Sequence, residues 1–260
     1  MAFAKFPVDM KITFPKEQWP WTAPEAEQED MAYSIEEIMM LLCICSQVNL
    51  LGYCCLSLRS LLELLDIKTT KENYQHYAAI INCLLHRCVD MDCITLKADS
   101  DCNPEKPDSL LHMRLEGTWQ AAKARFINIS IIEFEQIRKC AIKHKKACWI
   151  LLLLFMSIKS CFYSFEVNGK KYGAGVIAKN TLAKRCEVSQ PTIDSLISTL
   201  SKEEIIDVMS GKKYGVSNVY CLHGDEVALP LAMKHQLDYM NINPVERPTR
   251  LLNKRLEGIC

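Results

Sequence analysis

The sequence predicts an α+β protein, mostly helical, in which two domains of the same architecture follow one another. Three predicted helices precede two alternating segments in the first half, and the same order returns between residues 131 and 222. Hydrophobic residues make up 49% of the 260 positions, enough for a core in each domain. Three helices followed by a two-stranded hairpin is the order of a winged helix, so we expect two tandem winged-helix domains.

The first predicted domain occupies residues 33–118, after an extended arm over residues 1–32 that mixes Pro, Trp and acidic residues. Ser34 and Glu37 have the spacing of a capping box, which predicts that a helix begins here and runs to about Leu51. The other predicted elements of this domain are helices over 57–65 and 70–88 and strands over 93–99 and 109–116.

The second predicted domain occupies residues 123–224, and a C-terminal helix and tail follow over 225–260. Its run WILLLLFMSI, over residues 149–158, is too short to span a bilayer as a helix, which needs about 20 residues. We therefore expect a buried core helix. The other predicted elements are a strand over 126–131, a basic helix up to 147, a hairpin or loop over 164–178, two helices within 181–200, and strands over 205–210 and 216–222.

Charge is distributed unevenly along a chain whose formal net charge is zero. Residues 1–122 hold 10 Lys/Arg and 18 Asp/Glu, a net charge of −8, whereas residues 123–222 hold 16 and 8, a net charge of +8. A basic segment of this kind indicates a face that binds nucleic acid. Attraction between an acidic and a basic domain is the alternative explanation.

The fourteen cysteines include no C-x-x-C pair and lie mostly in apolar stripes. We expect free thiols that fill the cores of a cytoplasmic protein. Cys83, His86, Cys88 and Cys93 are the best candidates for a metal site, but a buried structural role is favoured. The chain lacks a phosphate-binding loop and a recurrent His–acid pair. We therefore expect no metal, no cofactor, no membrane association and no enzymatic activity.

The stretch TLAKRCEVSQPTIDSLISTL, over residues 181–200, predicts two helices joined by a tight turn. Ser189 is expected to cap the second helix, and Pro191 is tolerated in its first turn. Core positions on the two helices recur at helical spacing. They are Leu182, Ala183, Cys186, Ile193, Ile197 and Leu200.

The opposite face of the second helix is predicted to enter the major groove of DNA, with Gln190 and Ser195 directed at base edges. Lys212, Lys213 and Tyr214 lie at the tip of the following hairpin, where they would reach the flanking phosphates or the minor groove. The complete set of predicted DNA-binding residues is Lys179, Lys184, Arg185, Gln190, Thr192, Ser195, Ser198, Lys202, Lys212, Lys213 and Tyr214.

The pattern LAKRCEVSQPTIDSLISTL…IIDVMSGKKYGVSNVYCL resembles the winged helix-turn-helix of replication initiators from plasmids and mobile elements of Gram-positive bacteria. It is also similar to phage replication-organiser domains. Asn218 and Tyr220 match the Asn-x-Tyr that closes the wing in these proteins. The resemblance implies a homodimer that binds double-stranded DNA at origin repeats through its second winged helix, with replisome proteins as further partners.

Two departures from this pattern leave other functions open. Glu204 replaces the usual Gly before the first wing strand, so we expect the preceding helix to end differently. The recognition face has no Arg and contains Asp194. The alternatives are a transcriptional regulator of a mobile element and a non-catalytic adaptor that binds protein partners.

Much of the basic charge lies upstream of these helices, at Arg138, Lys139, Lys143, Lys145 and Lys146.

Overall fold

The computed structural model describes residues 11–16, 19–21, 33–48, 53–86, 95–98, 106–116 and 126–241. Most of the predicted arm and the predicted tail lie outside these ranges. The chain divides into two compact units, unit 1 (Met1–Leu152) and unit 2 (Leu153–Cys260), and the division falls inside a helix rather than between residues 118 and 123. Both units combine helices with antiparallel strands, which confirms the α+β class.

Unit 1 is built around a helix that is buried on nearly all sides. This helix, α1 (Ile35–Ser46), packs against α2 (Leu58–Leu64), α3 (Lys71–His86) and α4 (Ile131–His144). The predicted capping box at Ser34 and Glu37 is confirmed. In its three-stranded antiparallel sheet, β4 (Leu110–Glu116) lies between β2 (Tyr53–Ser57) and β3 (Thr95–Ala98). The remaining elements are β1 (Lys11–Pro15), β5 (Phe126–Ser130) and the start of α5 (Cys148–Lys159).

Two strands of unit 1 were not predicted. β2 pairs antiparallel with β4, and α1 ends at Ser46, earlier than predicted. β1 lies within the predicted arm and pairs antiparallel with β5, with Ile12 and Phe14 buried. The indole Nε1 of Trp19 donates to the carbonyl of Phe14 at 2.9 Å. Both strands form by pairing with residues far along the chain, and local periodicity does not reveal such pairing.

Unit 2 contains a four-stranded antiparallel sheet, whose strands lie in the order β6 (Phe162–Val167), β7 (Lys170–Val176), β9 (Val219–Leu222) and β8 (Ile206–Met209). Helix α8 (Ala228–Tyr239) covers this sheet. Leu229, Met233 and Leu237 of α8 form a core with Ala174 and Val219 of the sheet. The helix that the sequence interpretation set apart from the second domain is therefore part of unit 2. The elements after α5 are β6 (Phe162–Val167), β7 (Lys170–Val176), α6 (Lys179–Arg185), α7 (Gln190–Lys202), β8 (Ile206–Met209), β9 (Val219–Leu222) and α8 (Ala228–Tyr239).

The two units share an order of elements. Unit 1 contains α1, β2, α2, α3, β3 and β4, and β4 lies between the other two strands. Unit 2 contains most of α5 and then, apart from β6, the elements β7, α6, α7, β8 and β9, and β9 lies between β7 and β8. Unit 2 adds β6 at one sheet edge and α8 on the sheet.

The C-terminal end of α7 corrects one expectation from the sequence. Glu204 adopts the left-handed conformation, with φ of 54°, that a glycine would adopt there. Its N–H donates to the Ser201 carbonyl at 3.2 Å, and the Ile205 N–H donates to the Leu200 carbonyl at 3.0 Å. This is a Schellman motif, so the expectation that Glu204 would make the helix end differently is wrong. The same pair of bonds follows α2, α4 and α6, with Asp66, Lys145 and Glu187 at the left-handed position.

Candidate nucleic-acid interface

The turn between α6 and α7 is fixed by backbone bonds and by a side-chain cap. The Val188 N–H donates to the Ala183 carbonyl at 3.0 Å, across the left-handed Glu187. Ser189 Oγ accepts from the Thr192 N–H at 3.4 Å, which confirms the predicted N-cap. Leu182, Ala183 and Cys186 are buried, as predicted.

Helix α7 has one apolar and one polar face. Ile193, Ile197 and Leu200 are buried as predicted, and Leu196 joins them. The opposite face is exposed to solvent along the whole helix. Its exposed polar residues are Gln190, Thr192, Asp194, Ser195, Ser198 and Lys202.

The connection between β8 and β9, residues 210–218, is named here the wing. It contains a short 3-10 turn, Lys212–Tyr214, in which both lysines are exposed. A Cβ at Gly211 would lie 2.2 Å from the Ser217 carbonyl oxygen, so this close approach requires glycine. Asn218 Oδ1 accepts from the Gly211 N–H at 3.2 Å and closes the base of the wing.

Helix α8 supports the wing, a role that the sequence interpretation missed. Tyr214 is half-buried and packs against the core that α8 forms with the sheet. With its amide nitrogen directed at the Ser217 carbonyl, Gln236 donates to Ser217 O and accepts from Ser217 N, both at 3.1 Å. No local pattern signals this contact, because Gln236 and Ser217 lie on different elements.

Lys179 is the residue at which α6, α7 and the wing meet. Its Nζ lies 2.5 Å from Asp194 Oδ1, on the exposed face of α7. It also lines a cavity of about 500 Å³ together with Lys212 and Asn218 of the wing and Gln236 of α8. Lys179 therefore connects Asp194 on the polar face of α7 with the cavity that Lys212 of the wing lines.

The other predicted residues differ in their availability for a ligand. Lys184 is exposed, whereas the neighbouring Arg185 is half-buried. The guanidinium of Arg185 donates to the Ser157 carbonyl at 3.2 Å and to Ser160 Oγ at 2.9 Å, at the end of α5. The Thr192 hydroxyl shares a 2.9 Å hydrogen bond with Ser189 Oγ. Arg185 thus stabilises unit 2 by linking α6 to the end of α5, whereas Lys184 is exposed to solvent.

The upstream basic residues belong to unit 1. Arg138 pairs with Glu135 at 2.7 Å and donates to the Leu64 carbonyl at 2.7 Å. Its charge is therefore engaged within the unit. The lysines of this group are exposed on α4 and in the segment that follows it, at Lys139, Lys143, Lys145 and Lys146.

Helix α3 precedes β3 and β4 in unit 1, as α7 precedes β8 and β9 in unit 2, but its exposed face has a different character. Lys71 and Glu72 begin the helix with opposite charges. His76 then lies 2.8 Å from a carboxylate oxygen of Glu36. Exposed lysines also occur here, at Lys68 and Lys71 and at Lys106 in the β3–β4 connection. Among the described residues of unit 1, however, α2 has no lysine, whereas α6 has the exposed Lys184, so unit 2 contains the better candidate interface.

Buried thiols dominate among the described cysteines. Burial raises the pKa of Cys43, Cys54 and Cys148 to about 12, so these thiols are protonated and function as apolar packing groups. Cys83 is exposed. Its suggested metal partners Cys88 and Cys93, and the side chain of His86, lie outside the described residues.

Comparison with known proteins identifies no relative: no protein-family model, no curated protein and no solved structure matches this chain. Within the described ranges, no helix combines the length and the apolar character needed to cross a bilayer. What the protein does must therefore be inferred from the geometry of α6, α7 and the wing.

Proposed function

We propose that this protein binds double-stranded DNA through unit 2, with α7 as the recognition helix. The observation that carries the proposal is the position of Lys179, which pairs with Asp194 on the polar face of α7 and lines one cavity with Lys212, an exposed lysine of the wing. A helix held by an apolar stripe and flanked by basic side chains has the shape and charge needed to enter a major groove.

The winged-helix interpretation of both units is part of the proposal. The shared order of one helix, one strand, two helices and two strands supports it, as does the central position of the last strand in each sheet. In this interpretation α3 and α7 hold equivalent places. Within the described part of the chain, only α7 is bordered by exposed lysines on both the preceding helix and the wing.

The side chains on this surface divide into two groups by the DNA atoms that they would contact. Gln190 can form two hydrogen bonds with adenine, and Ser195 and Ser198 can donate to or accept from base edges. Lysines at the border would contact phosphates, which provides affinity without sequence discrimination. These lysines are Lys184, Lys202, Lys212 and Lys213.

We propose a replication initiator acting on origin repeats as the biological role. The resemblance of residues 181–222 to the initiator winged helix supports this choice. A transcriptional regulator would use the same surface. To separate an initiator from a regulator, the full chain is incubated with random fragments of its source genome, and the retained DNA is sequenced. An initiator should select iterated repeats, whereas a regulator should select an operator beside a promoter.

An adaptor that binds protein is the second candidate, and one observation favours it. Asp194 neutralises Lys179 on the exposed face of α7, and that face has no arginine. Arginine bound to guanine is the commonest base-specific contact in protein–DNA complexes. A surface of mixed charge is also suited to a polar protein partner.

The decisive experiment measures binding of the full chain to labelled duplex DNA over a series of salt concentrations. The double variant Lys212→Ala/Lys213→Ala should weaken binding to every duplex and reduce the salt slope by roughly one for each phosphate that the wing no longer neutralises. Gln190→Ala should weaken binding to the preferred site only. The control Lys68→Ala/Lys71→Ala removes two exposed lysines from unit 1 and should have little effect. Absence of binding at low salt, or equal effects of the two double variants, would refute the proposal.

A further inference from the structure

We propose that Asp207, His223 and Glu226 of unit 2 form a binding site for a divalent transition-metal ion. His223 Nδ1 lies 2.9 Å from Asp207 Oδ2 and 3.4 Å from Glu226 Oε1. One ligand atom from each of the three residues lies within 4.8 Å of the other two. Ligands that bind a metal at about 2.0–2.2 Å are roughly 3.0–3.5 Å apart, so these three atoms already approximate one side of a coordination sphere.

The β8–β9 pair brings the three residues together. Asp207 lies opposite Cys221, and the His223 N–H continues the pairing with a 3.3 Å bond to the Ile205 carbonyl. A turn at Gly224, with φ of 95°, then returns the chain toward the strand. The Gly224 N–H donates to Glu226 Oε1 at 3.2 Å, which orients that carboxylate toward His223.

The charges of this cluster are not balanced by its own residues. Asp207 and Glu226 both approach His223 Nδ1, but this nitrogen carries at most one proton. The two carboxylates are also close enough to interact with each other. Glu204 Oε2 lies 3.9 Å from His223 Nε2. In the described part of the chain, no Lys or Arg pairs with these carboxylates. Even with His223 protonated, three carboxylates leave a net charge of −2, which a divalent cation would offset.

The donor atoms indicate the class of metal. One imidazole nitrogen with two carboxylate oxygens suits Mn²⁺, Fe²⁺ or Zn²⁺ better than Ca²⁺, which takes oxygen ligands only. His223 and Glu226 are exposed, so water can complete the coordination sphere. The cluster lies at the end of the β8–β9 pair opposite the wing, so metal binding is independent of the proposed DNA contacts.

The test uses Mn²⁺ as the probe and the full-length chain. The many thiols would bind Zn²⁺ themselves, whereas Mn²⁺ prefers nitrogen and oxygen donors. The hydrogen bond to Asp207 raises the pKa of His223, so the titration is performed at about pH 8, where the proton competes less with the metal. Loss of the Mn²⁺ electron paramagnetic resonance signal should show one saturable site. His223→Gln and Asp207→Asn should each weaken it by about tenfold or more.

Matched controls are available on α8. His235→Gln and Asp238→Asn make the same chemical changes at exposed positions outside the cluster and should leave Mn²⁺ binding unchanged. Thermal unfolding of the metal-free variants checks that each one folds. The wing variant Lys212→Ala/Lys213→Ala should bind Mn²⁺ normally whether or not it loses DNA binding. The proposal is overturned if the wild type shows no saturable site, or if His223→Gln retains the affinity of the wild type.

Discussion

Lys179 Nζ lies 2.5 Å from Asp194 Oδ1, and this ion pair joins the first residue of α6 to the exposed face of α7. Both side chains are substantially exposed, at 42% and 53%. An exposed pair of this kind contributes little to stability. Its consequence is electrostatic, because the pair removes one positive charge from the surface that borders the wing.

Asp194→Asn should increase affinity for duplex DNA. The substitution keeps the shape of the side chain, removes a negative charge from the α7 face and releases Lys179 to contact a phosphate. Fluorescence anisotropy should show tighter binding and a salt slope steeper by roughly one. Asp238→Asn makes the same charge change at an exposed position of α8 and is the control for the charge change alone. Unchanged or weaker binding by Asp194→Asn would favour the adaptor.

Arg185→Ala and Lys184→Ala should separate stability from binding. Arg185 donates two hydrogen bonds at the end of α5, so its removal should lower the free energy of unfolding by about 1–3 kcal/mol. Lys184 is exposed, so its removal should weaken DNA binding and leave stability nearly unchanged. Chemical denaturation and anisotropy measure the two effects. A stable Arg185→Ala variant with impaired DNA binding would assign Arg185 to the interface instead.

Gln236→Leu should loosen the wing without unfolding unit 2. The leucine fills a similar volume but cannot form the two 3.1 Å bonds to Ser217. Hydrogen exchange at the Ser217 amide should become faster, while amides of the α7 interior keep their protection. His235→Leu introduces the same side chain at the adjacent exposed position and is the control. Equal exchange at Ser217 in both variants would show that Gln236 does not fix the wing.

Glu204→Gly should stabilise the protein relative to Glu204→Ala by about 1 kcal/mol. Both substitutions remove the carboxylate, but only glycine relieves the left-handed backbone at φ of 54°. The comparison therefore isolates the backbone effect from the loss of charge near His223. Thermal or urea unfolding of the two variants provides the measurement. Equal stabilities would mean that residue 204 leaves the left-handed conformation in solution.

Alkylation of the native protein should distinguish the described thiols by burial. Cys55 and Cys83 are exposed and should react with iodoacetamide first. Cys43 and Cys148 are buried with pKa values raised to about 12, so about one thiol in 10,000 is ionised at pH 8. Mass spectrometry of peptides after a timed reaction gives the order. Early modification of Cys43 would show that unit 1 opens readily.

The sequence determined most helices and the polarity of α7. Ser34 with Glu37, and Ser189 with Thr192, are caps that act within one helical turn, so local residues suffice to predict them. The apolar stripe of α7 likewise follows from spacing along one helix. The exposed positions of Gln190, Ser195 and Ser198 are its direct consequence, because a helix with one buried face exposes the other.

Only the tertiary structure decided which functional groups meet. Lys184 and Arg185 are adjacent basic residues, but successive side chains differ by about 100° around a helix, and only Arg185 faces the end of α5. The pairing register of β8 and β9 places Asp207 beside His223. The packing of α8 on the sheet places Gln236 against Ser217 of the wing. Such contacts join residues on separate elements. They depend on packing and strand register, which no local pattern of residues specifies.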